Sequence, residues 1–405
     1  MPQQAHPERP RAVIVGGSIA GLFAALMLRR AGWEVEVFER SSAELAARGA
    51  GIVTHPELIQ ALEAAGALPA EPIGLEVVER MIIDRAGVPI RRLPQRQLVT
   101  SWAYLYELLR KALPARYYRS GYALVDFEQS AAGVSARFAN GTRASGDLMV
   151  AADGTNSTVR GLLLPEVKPT YAGYVAWRGL VPESELSADT HRLLADRFAF
   201  YLPPGEQILG YPVAGPDNSL LAGSRHYNFV WYRPVDAHHQ LPALLTDRDG
   251  LRHQMSLPPD AVRAEALLEL RREADRLLPM AFAEVVRLAR QPFIQAIYEV
   301  ESSRLVFGRV VLVGDAAFLA RPHVGMGVTK AAGDLSALAG ALDHDPDRID
   351  HALADFQQRR LAFGQRVFER SRYLGELMQT GTIAAGRRDS TLEQVISLTA
   401  AVPAS

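Results

Sequence analysis

Residues 15–21 read Val15-Gly16-Gly17-Ser18-Ile19-Ala20-Gly21, and Glu39 closes the next β-branched segment. Small residues at such a turn let the backbone pass close to a phosphate, and the free N–H groups of a helix opening at Ser18 offer it partial positive charge. Ser18 stands where the G-x-G-x-x-G fingerprint has its second glycine, and serine is the next smallest side chain. A carboxylate ending the second strand can accept both ribose hydroxyls of an adenosine. The chemistry readable here is dinucleotide binding; the bland alternative is a glycine-rich turn with no nucleotide.

Further along, Val150-Ala151-Ala152-Asp153-Gly154 and Leu312-Val313-Gly314-Asp315-Ala316 each end an apolar run in an aspartate. Asp315 would cap a buried strand, where an unpaired carboxylate is costly, whereas Asp153-Gly154 is also an ordinary turn dipeptide. Pro322-His323-Val324-Gly325-Met326-Gly327 follows, its small residues open to close approach by a flat ligand and a helix expected after it. His323 is the first candidate for a base, because imidazole titrates near neutral pH; the bland alternative is a capping or carbonyl-bonded side chain. Tyr211 is the second polar candidate and His55 the third.

The elements that must carry these residues follow from periodicity. Arg11–Val15 predicts a strand, Ser18–Arg30 a helix and Glu34–Phe38 a second strand, a β-α-β unit of a parallel sheet with ligands at its carboxyl ends. Leu305–Val313 predicts one late strand of that sheet, followed by a helix from about Gly325 to Leu342 with Val328, Ala331, Leu335, Leu338 and Leu342 on its apolar face. Tyr171–Tyr232, rich in aromatic and β-branched runs, predicts antiparallel strands, and the sheet built from the aromatic strands around Tyr174, Trp177, Tyr211, Tyr227 and Trp231 is the expected lid of the substrate cavity. Leu251–Arg290 reads as helical, His351–Gln379 as one long amphipathic helix, and the tail beyond Thr380 as weakly patterned and loosely held. The expected fold is α/β: a Rossmann-like dinucleotide domain with an inserted, mostly antiparallel β substrate domain and C-terminal helices. The expected division is 1–73, 101–170 and 294–350 for the first, 74–100 and 171–293 for the second, and 351–405 for the C-terminal helical segment.

Composition narrows the functional class. The 405 residues carry 44 basic and 45 acidic groups for a net charge of −1, and only Lys111, Lys168 and Lys330 are lysines. Interleaved charge of this kind argues against a nucleic-acid partner. With no cysteine, redox chemistry must be carried by a bound group, and a cytoplasmic location is the default expectation. The uncharged run Ala12–Leu28 is interrupted by glycines and ends in Arg29 and Arg30, so it reads as strand plus helix and not as a leader or membrane span. No metal site is expected.

Taken together, the Gly16–Gly21 fingerprint, the segment Asp153-Gly154-Thr155-Asn156-Ser157-Thr158-Val159-Arg160 and the Gly314-Asp315 segment, in that order, resemble the FAD-dependent aromatic hydroxylases (group A flavoprotein monooxygenases) from about Arg11 to about Arg372. The resemblance implies that FAD is the resident cofactor. It implies that Glu39 holds the adenosine ribose with Arg40 nearby, that Asp153 and Asp315 approach the cofactor, and that Gly51 and Ile52, in Gly49-Ala50-Gly51-Ile52, line the flavin with Pro322, Gly325, Met326 and Gly327. Backbone N–H groups at the helix start would then stabilise negative charge on reduced flavin. Three positions depart from the family pattern: Phe318 stands where histidine is common, Met326 where Gly-x-Gly commonly holds glutamine, and Trp102 where many relatives place a cofactor-contacting arginine. The implied activity is hydroxylation of a small electron-rich aromatic or N-heteroaromatic compound, a hydroxypyridine first, using transient NADH or NADPH and O₂ through a flavin C4a-hydroperoxide. A homodimer is the working expectation for assembly. A same-fold reductase or halogenase and a non-catalytic FAD-binding protein remain the alternatives.

Overall fold

A computed structural model describes residues 9–43, 45, 51–344, 348–379 and 388–401. β1 (Arg11–Val15), α1 (Ile19–Arg30) and β2 (Glu34–Glu39) form the opening unit, β1 and β2 pairing in parallel from Arg11↔Glu34 to Val15↔Phe38. α1 is buried on most sides, from Ile19 through Leu28, because it lies between this sheet and a later helix. The chain then makes β3 (Gly51–Val53), α2 (Pro56–Ala65), β4 (Leu75–Ile83), β5 (Pro89–Ser101) and α3 (Trp102–Ala112) before β6 (Tyr118–Ser120) returns beside β2. A small antiparallel sheet follows, β7 (Leu124–Ser130), β8 (Gly133–Phe138) and β9 (Arg143–Gly146), leading into β10 (Leu148–Ala151), which pairs in parallel with β1.

α4 (Thr158–Leu163) precedes the large sheet, whose strands are β11 (Thr170–Pro182), β12 (Phe198–Tyr201), β13 (Gln207–Val213) and β14 (His226–Pro234), with α5 (Ala188–Leu194) and α6 (Gln240–Leu244) in the connections. It continues with β15 (Ser256–Leu257) and β16 (Phe293–Glu301), separated by α7 (Ala264–Leu277) and α8 (Met280–Leu288). The order is β15-β16-β11-β14-β13-β12-β4-β5-β3, antiparallel except where β12 meets β4. β17 (Val306–Phe307) and β18 (Val310–Leu312) complete the first sheet, ordered β17-β18-β10-β1-β2-β6. Then come β19 (Phe318–Leu319), α9 (Gly327–His344), α10 (Ile349–Gln379) and α11 (Arg388–Leu398).

Four expectations need correcting. Leu305–Val313 is a hairpin and not one strand: β17 turns back on β18 in antiparallel register through Gly308, so only β18 joins the parallel set. Residues 251–263 contain only the short β15 and a 3₁₀ turn, so helix begins at Ala264. Within the tail, residues 388–401 are docked, with Leu392, Val395, Ile396, Thr399 and Ala400 buried. The fourth concerns the large sheet, which is buried on both faces. Alternation along its strands puts Tyr174, Tyr211 and Tyr232 in one core with Val53, Val99 and Ile396, while Trp177, Tyr227 and Trp231 pack on the opposite side with Phe282, Val285 and Leu270 of α8 and α7. Only the first set can cover a cavity facing the parallel sheet. Among the described residues no helix is long and apolar enough to cross a membrane.

Candidate active site

The carboxyl ends of β1, β2, β10 and β18 lie side by side and present Gly16, Glu39, Asp153 and Asp315 together. Gly16 takes φ +104°, open to glycine alone, and a side chain there would run into the Ala152 carbonyl; one on Gly21 would strike the Gly16 carbonyl. Ser18 is the N-cap of α1, its hydroxyl making no cap bond, with Ile19 and Ala20 opening the helix. The buried Glu39 carboxylate accepts the Gly17 N–H at 2.7 Å and the Ser41 N–H at 2.8 Å. It therefore braces the turn before any ligand is considered, and each oxygen keeps acceptor capacity for a hydroxyl. Arg40 is exposed. Tyr118, which sequence reasoning passed over, donates its hydroxyl to the Gly17 carbonyl at 3.1 Å and lies under the Arg110 guanidinium.

Asp153 does part of what its bland reading expects, since Oδ2 accepts the Val159 N–H of α4 at 3.2 Å. Its Oδ1 is buried with no partner, and burial raises the pKa against those bonds. The buried Arg160 ties the two aspartate loops together, donating to the Thr155 carbonyl at 2.6 Å and the Ala316 carbonyl at 3.1 Å. The Asp315 carboxyl has no hydrogen-bond partner among the described residues, and burial raises its pKa against the pull of Lys330 and Arg160. Gly314 brings this loop against α1, where a Cβ would sit 3.2 Å from that of Ala20. A fingerprint cradle, an orphaned carboxylate oxygen and an unpartnered Asp315 are the donor and acceptor set that a dinucleotide needs, so the residues fit FAD.

Across from this cluster, the turn Pro322–Val324 leads through Gly325, Met326 and Gly327 into α9. His323 is 1% exposed; its Nε2 lies 2.9 Å from the Tyr174 hydroxyl, its ring centre is 4.4 Å from that of Tyr232, and its Nδ1 has no partner. Burial, followed by the Arg321 charge, holds its pKa down to about 3. In this enclosed surrounding, with the Tyr174 hydroxyl as its one polar contact among the described residues, the imidazole is held in its neutral form. Tyr211 lies in the same wall, its pKa pushed up to about 12 by burial, with Arg178 pulling the other way. Gly51 rests on this wall: a Cβ on it would come within 2.8 Å of the Tyr211 ring and 3.0 Å of the Asn228 amide carbon. Ile52 follows on β3, and the Gly51↔Ser101 pairing brings Trp102 close, its ring stacked on Tyr106 at 5.2 Å. Gly49 and Ala50 lie outside the described residues.

A family model described as "FAD binding domain" matches residues 10–197, and one described as "FAD binding domain-like" matches 171–299. The chain is 33% identical over 379 residues to 2,6-dihydroxypyridine 3-monooxygenase of Paenarthrobacter nicotinovorans, covering 93% of each. The solved structure of 2,6-dihydroxypyridine-3-hydroxylase from Arthrobacter nicotinovorans matches with a TM-score of 0.87 at 33% identity over 93% of this chain and 94% of that one. The chain belongs to the FAD-dependent aromatic hydroxylases. HpxO of Klebsiella pneumoniae, solved with FAD and uric acid, shares the fold at a TM-score of 0.79, 23% identity and 98% and 95% coverage. This hydroxylase is thus a flavoprotein monooxygenase of mixed α/β architecture.

Two of the hydroxylase's departures from family pattern turn out to be packing. Phe318 is buried against Gly364 of α10, and the Met326 side chain packs with Val324, Val367 and Leu374. The Met326 side chain is therefore part of an apolar cluster against α10, and only its backbone remains for a cofactor. His55 is spent on structure: Nδ1 meets the Thr329 hydroxyl at 2.9 Å and Nε2 the Ala400 carbonyl at 3.2 Å. Sequence reasoning did not single out Arg178, Asn228, Tyr232 or Lys330. Two signals were available: Arg178 is the only charge between Tyr171 and Pro182, and Lys330 is one of just three lysines.

Proposed function

We propose that the enzyme hydroxylates a small electron-rich N-heteroaromatic ring of the hydroxypyridine class, drawing electrons from NADH or NADPH and one oxygen atom from O₂. The balance is ring C–H + O₂ + NAD(P)H + H⁺ giving ring C–OH + H₂O + NAD(P)⁺. The observation that carries the reading is the wall of Tyr174, Tyr211 and Tyr232, with Arg178 beside it, standing over Gly51 and His323. A flat ring gains stacking area there, and its polar substituents find donors. The relatives named for 2,6-dihydroxypyridine and urate, both nitrogen heterocycles, support the same choice.

Gly16–Gly21, Glu39, Arg40, Asp153 and Asp315 would hold the adenosine, pyrophosphate and ribityl parts of FAD, and Gly51, Ile52, Trp102, Pro322, Gly325, the Met326 backbone and Gly327 its ring. Bound FAD supplies the redox and oxygen-activating chemistry. The protein's share is to orient the ring, exclude water that would divert oxygen to H₂O₂, and offer backbone N–H groups at the start of α9 to negative charge. Tyr211 as a donor and His323 through Tyr174 position polar substituents. The division into FAD segments (1–73, 101–170, 294–350), substrate segments (74–100, 171–293) and a C-terminal helical part (351–405), a homodimer, and a cytoplasmic home where reduced nicotinamide is available belong to the same proposal. Incubation with NADH, 2,6-dihydroxypyridine and ¹⁸O₂ should yield a ring product carrying one labelled oxygen. Ring-stimulated NADH oxidation that yields only H₂O₂ across a hydroxypyridine series would overturn the substrate reading.

A further inference from the structure

Gly51 is gripped from below by two side chains of the large sheet. Asn228 Oδ1 accepts the Gly51 N–H at 3.1 Å, and Arg178 Nη2 donates to the Gly51 carbonyl at 3.2 Å, while Arg178 Nη1 reaches Gln295 Oε1 at 3.3 Å. What remains is a set of unspent donors. Asn228 is 0% exposed with Nδ2 lacking an acceptor, Arg178 Nε is buried without one, and the Tyr211 hydroxyl, opposite Asn228 in register, has no partner among the described residues. A buried donor left without an acceptor is costly, so donors left unmet at one spot call for an acceptor supplied from outside.

Charge points the same way. Among the described residues no carboxylate pairs with Arg178, although Arg233, on the neighbouring strand, is paired with both Glu206 and Glu273. The titratable groups that share its charge on this face are Tyr211 and Tyr232, both held neutral by burial. Among the described residues of the wall, burial keeps Tyr174, Tyr211 and Tyr232 protonated and lowers the His323 pKa, so Arg178 is the cationic group there that an already ionised ring would meet.

We propose that Arg178, with Asn228 and Tyr211, is the recognition subsite for a ring oxyanion, so that the enzyme selects rings acidic enough to arrive ionised. This rests on the reading of the protein as a hydroxylase of hydroxylated heteroaromatics. In the FAD-loaded enzyme without reductant, 2,6-dihydroxypyridine should perturb the flavin spectrum, with affinity rising as the ring ionises, and 2,6-dimethoxypyridine should bind weakly and without pH dependence. Arg178→Met should weaken the first by about ten- to hundred-fold, the range of a charged hydrogen bond, leave the second unchanged, and lose the pH dependence; Arg178→Lys should restore part of it. Equal losses for both rings, or none, would overturn the subsite. If 2,6-dihydroxypyridine fails to bind wild type while 4-nitrophenolate binds in an Arg178-dependent way, the hydroxypyridine reading falls and the subsite stands; if neither ring binds in that way, the subsite falls too.

Discussion

Lys330 and Asp334, four residues apart on α9, hold opposite ends of one residue, Gly314: the ammonium donates to its carbonyl at 2.8 Å and the carboxylate accepts its N–H at 3.0 Å. The pair is itself in contact at 3.3 Å, and Arg360 of α10 closes the cluster on Asp334 at 2.8 Å. Burial works against an ionised Asp334, but Lys330, Arg360 and the Gly314 N–H more than offset it, and its pKa is lowered. The residue so gripped immediately precedes Asp315. Lys330→Met should cost about 1–3 kcal/mol, because it leaves the buried Gly314 carbonyl without its donor while Arg360 still pairs with Asp334, and should weaken FAD retention as the Asp315 loop loosens. Urea unfolding of the apoprotein and flavin release on gel filtration measure the two. Unchanged FAD retention would mean that the clamp serves the fold alone.

Glu39→Ala should reduce FAD affinity by about 1.5–3 kcal/mol, the worth of hydrogen bonds to a charged acceptor. Glu39→Gln should lose less, since its amide oxygen can still accept one of the two backbone N–H groups that Glu39 now holds. Quenching of FAD fluorescence on reconstitution reads both. Equal affinity in all three proteins would leave Glu39 as a brace for the turn and nothing more.

His323 leaves a mark on acid stability. Its folded-state pKa, about 3, lies below the value of about 6.5 in an unfolded chain. Below pH 6.5 the unfolded state gains a proton that the folded state refuses, so the associated stability is whole above that pH and drains away as the pH falls toward 3. Between pH 6.5 and 5 the loss is about 2 kcal/mol. His323→Asn should remove that component, visible as a smaller drop in urea midpoint between pH 7.5 and pH 5. It should leave the pH profile of hydroxylation near neutrality unmoved, because a neutral imidazole does not titrate there. A variant as acid-sensitive as wild type would clear His323.

Arg80 of β4 anchors the C-terminal segment beside the Pro322–Gly327 turn. Fully buried, it donates to the carbonyls of Ile396, Thr399 and Ala400, and Ala400 in turn donates its N–H to the His323 carbonyl at 2.8 Å. Arg80→Leu removes the side-chain donor from the Ile396 and Thr399 carbonyls at about 1–3 kcal/mol each, while the Ala400 carbonyl keeps Gln97 and His55. It should expose 388–401 to limited proteolysis and raise H₂O₂ release per NADH consumed. Gly325→Ala should do the same from the other side, since Gly325 has φ +60° and a Cβ there would sit 2.8 Å from that of Ala400. Protease resistance equal to wild type in both variants would count against the docking.

The Gly16–Gly21 turn, the Glu39 carboxylate at the end of β2 and the two aspartate loops were legible in the amino-acid order because each rests on local demands: a backbone open only to glycine, a helix start, a strand of fixed period ending in an acid. The long helix 351–379 was legible for the same reason. Which side of the large sheet packs with β3 and the C-terminal segment was not, because both faces are apolar and a period of two cannot choose between Tyr211 and Trp231. Nor could order along the chain say that His323 would lose its affinity for protons, that Met326 would turn to α10, or that Lys330 would be spent on Gly314. Those outcomes depend on what distant segments bring into contact. Proton affinity and hydrogen-bond satisfaction are properties of an enclosed space, and only the tertiary structure encloses it.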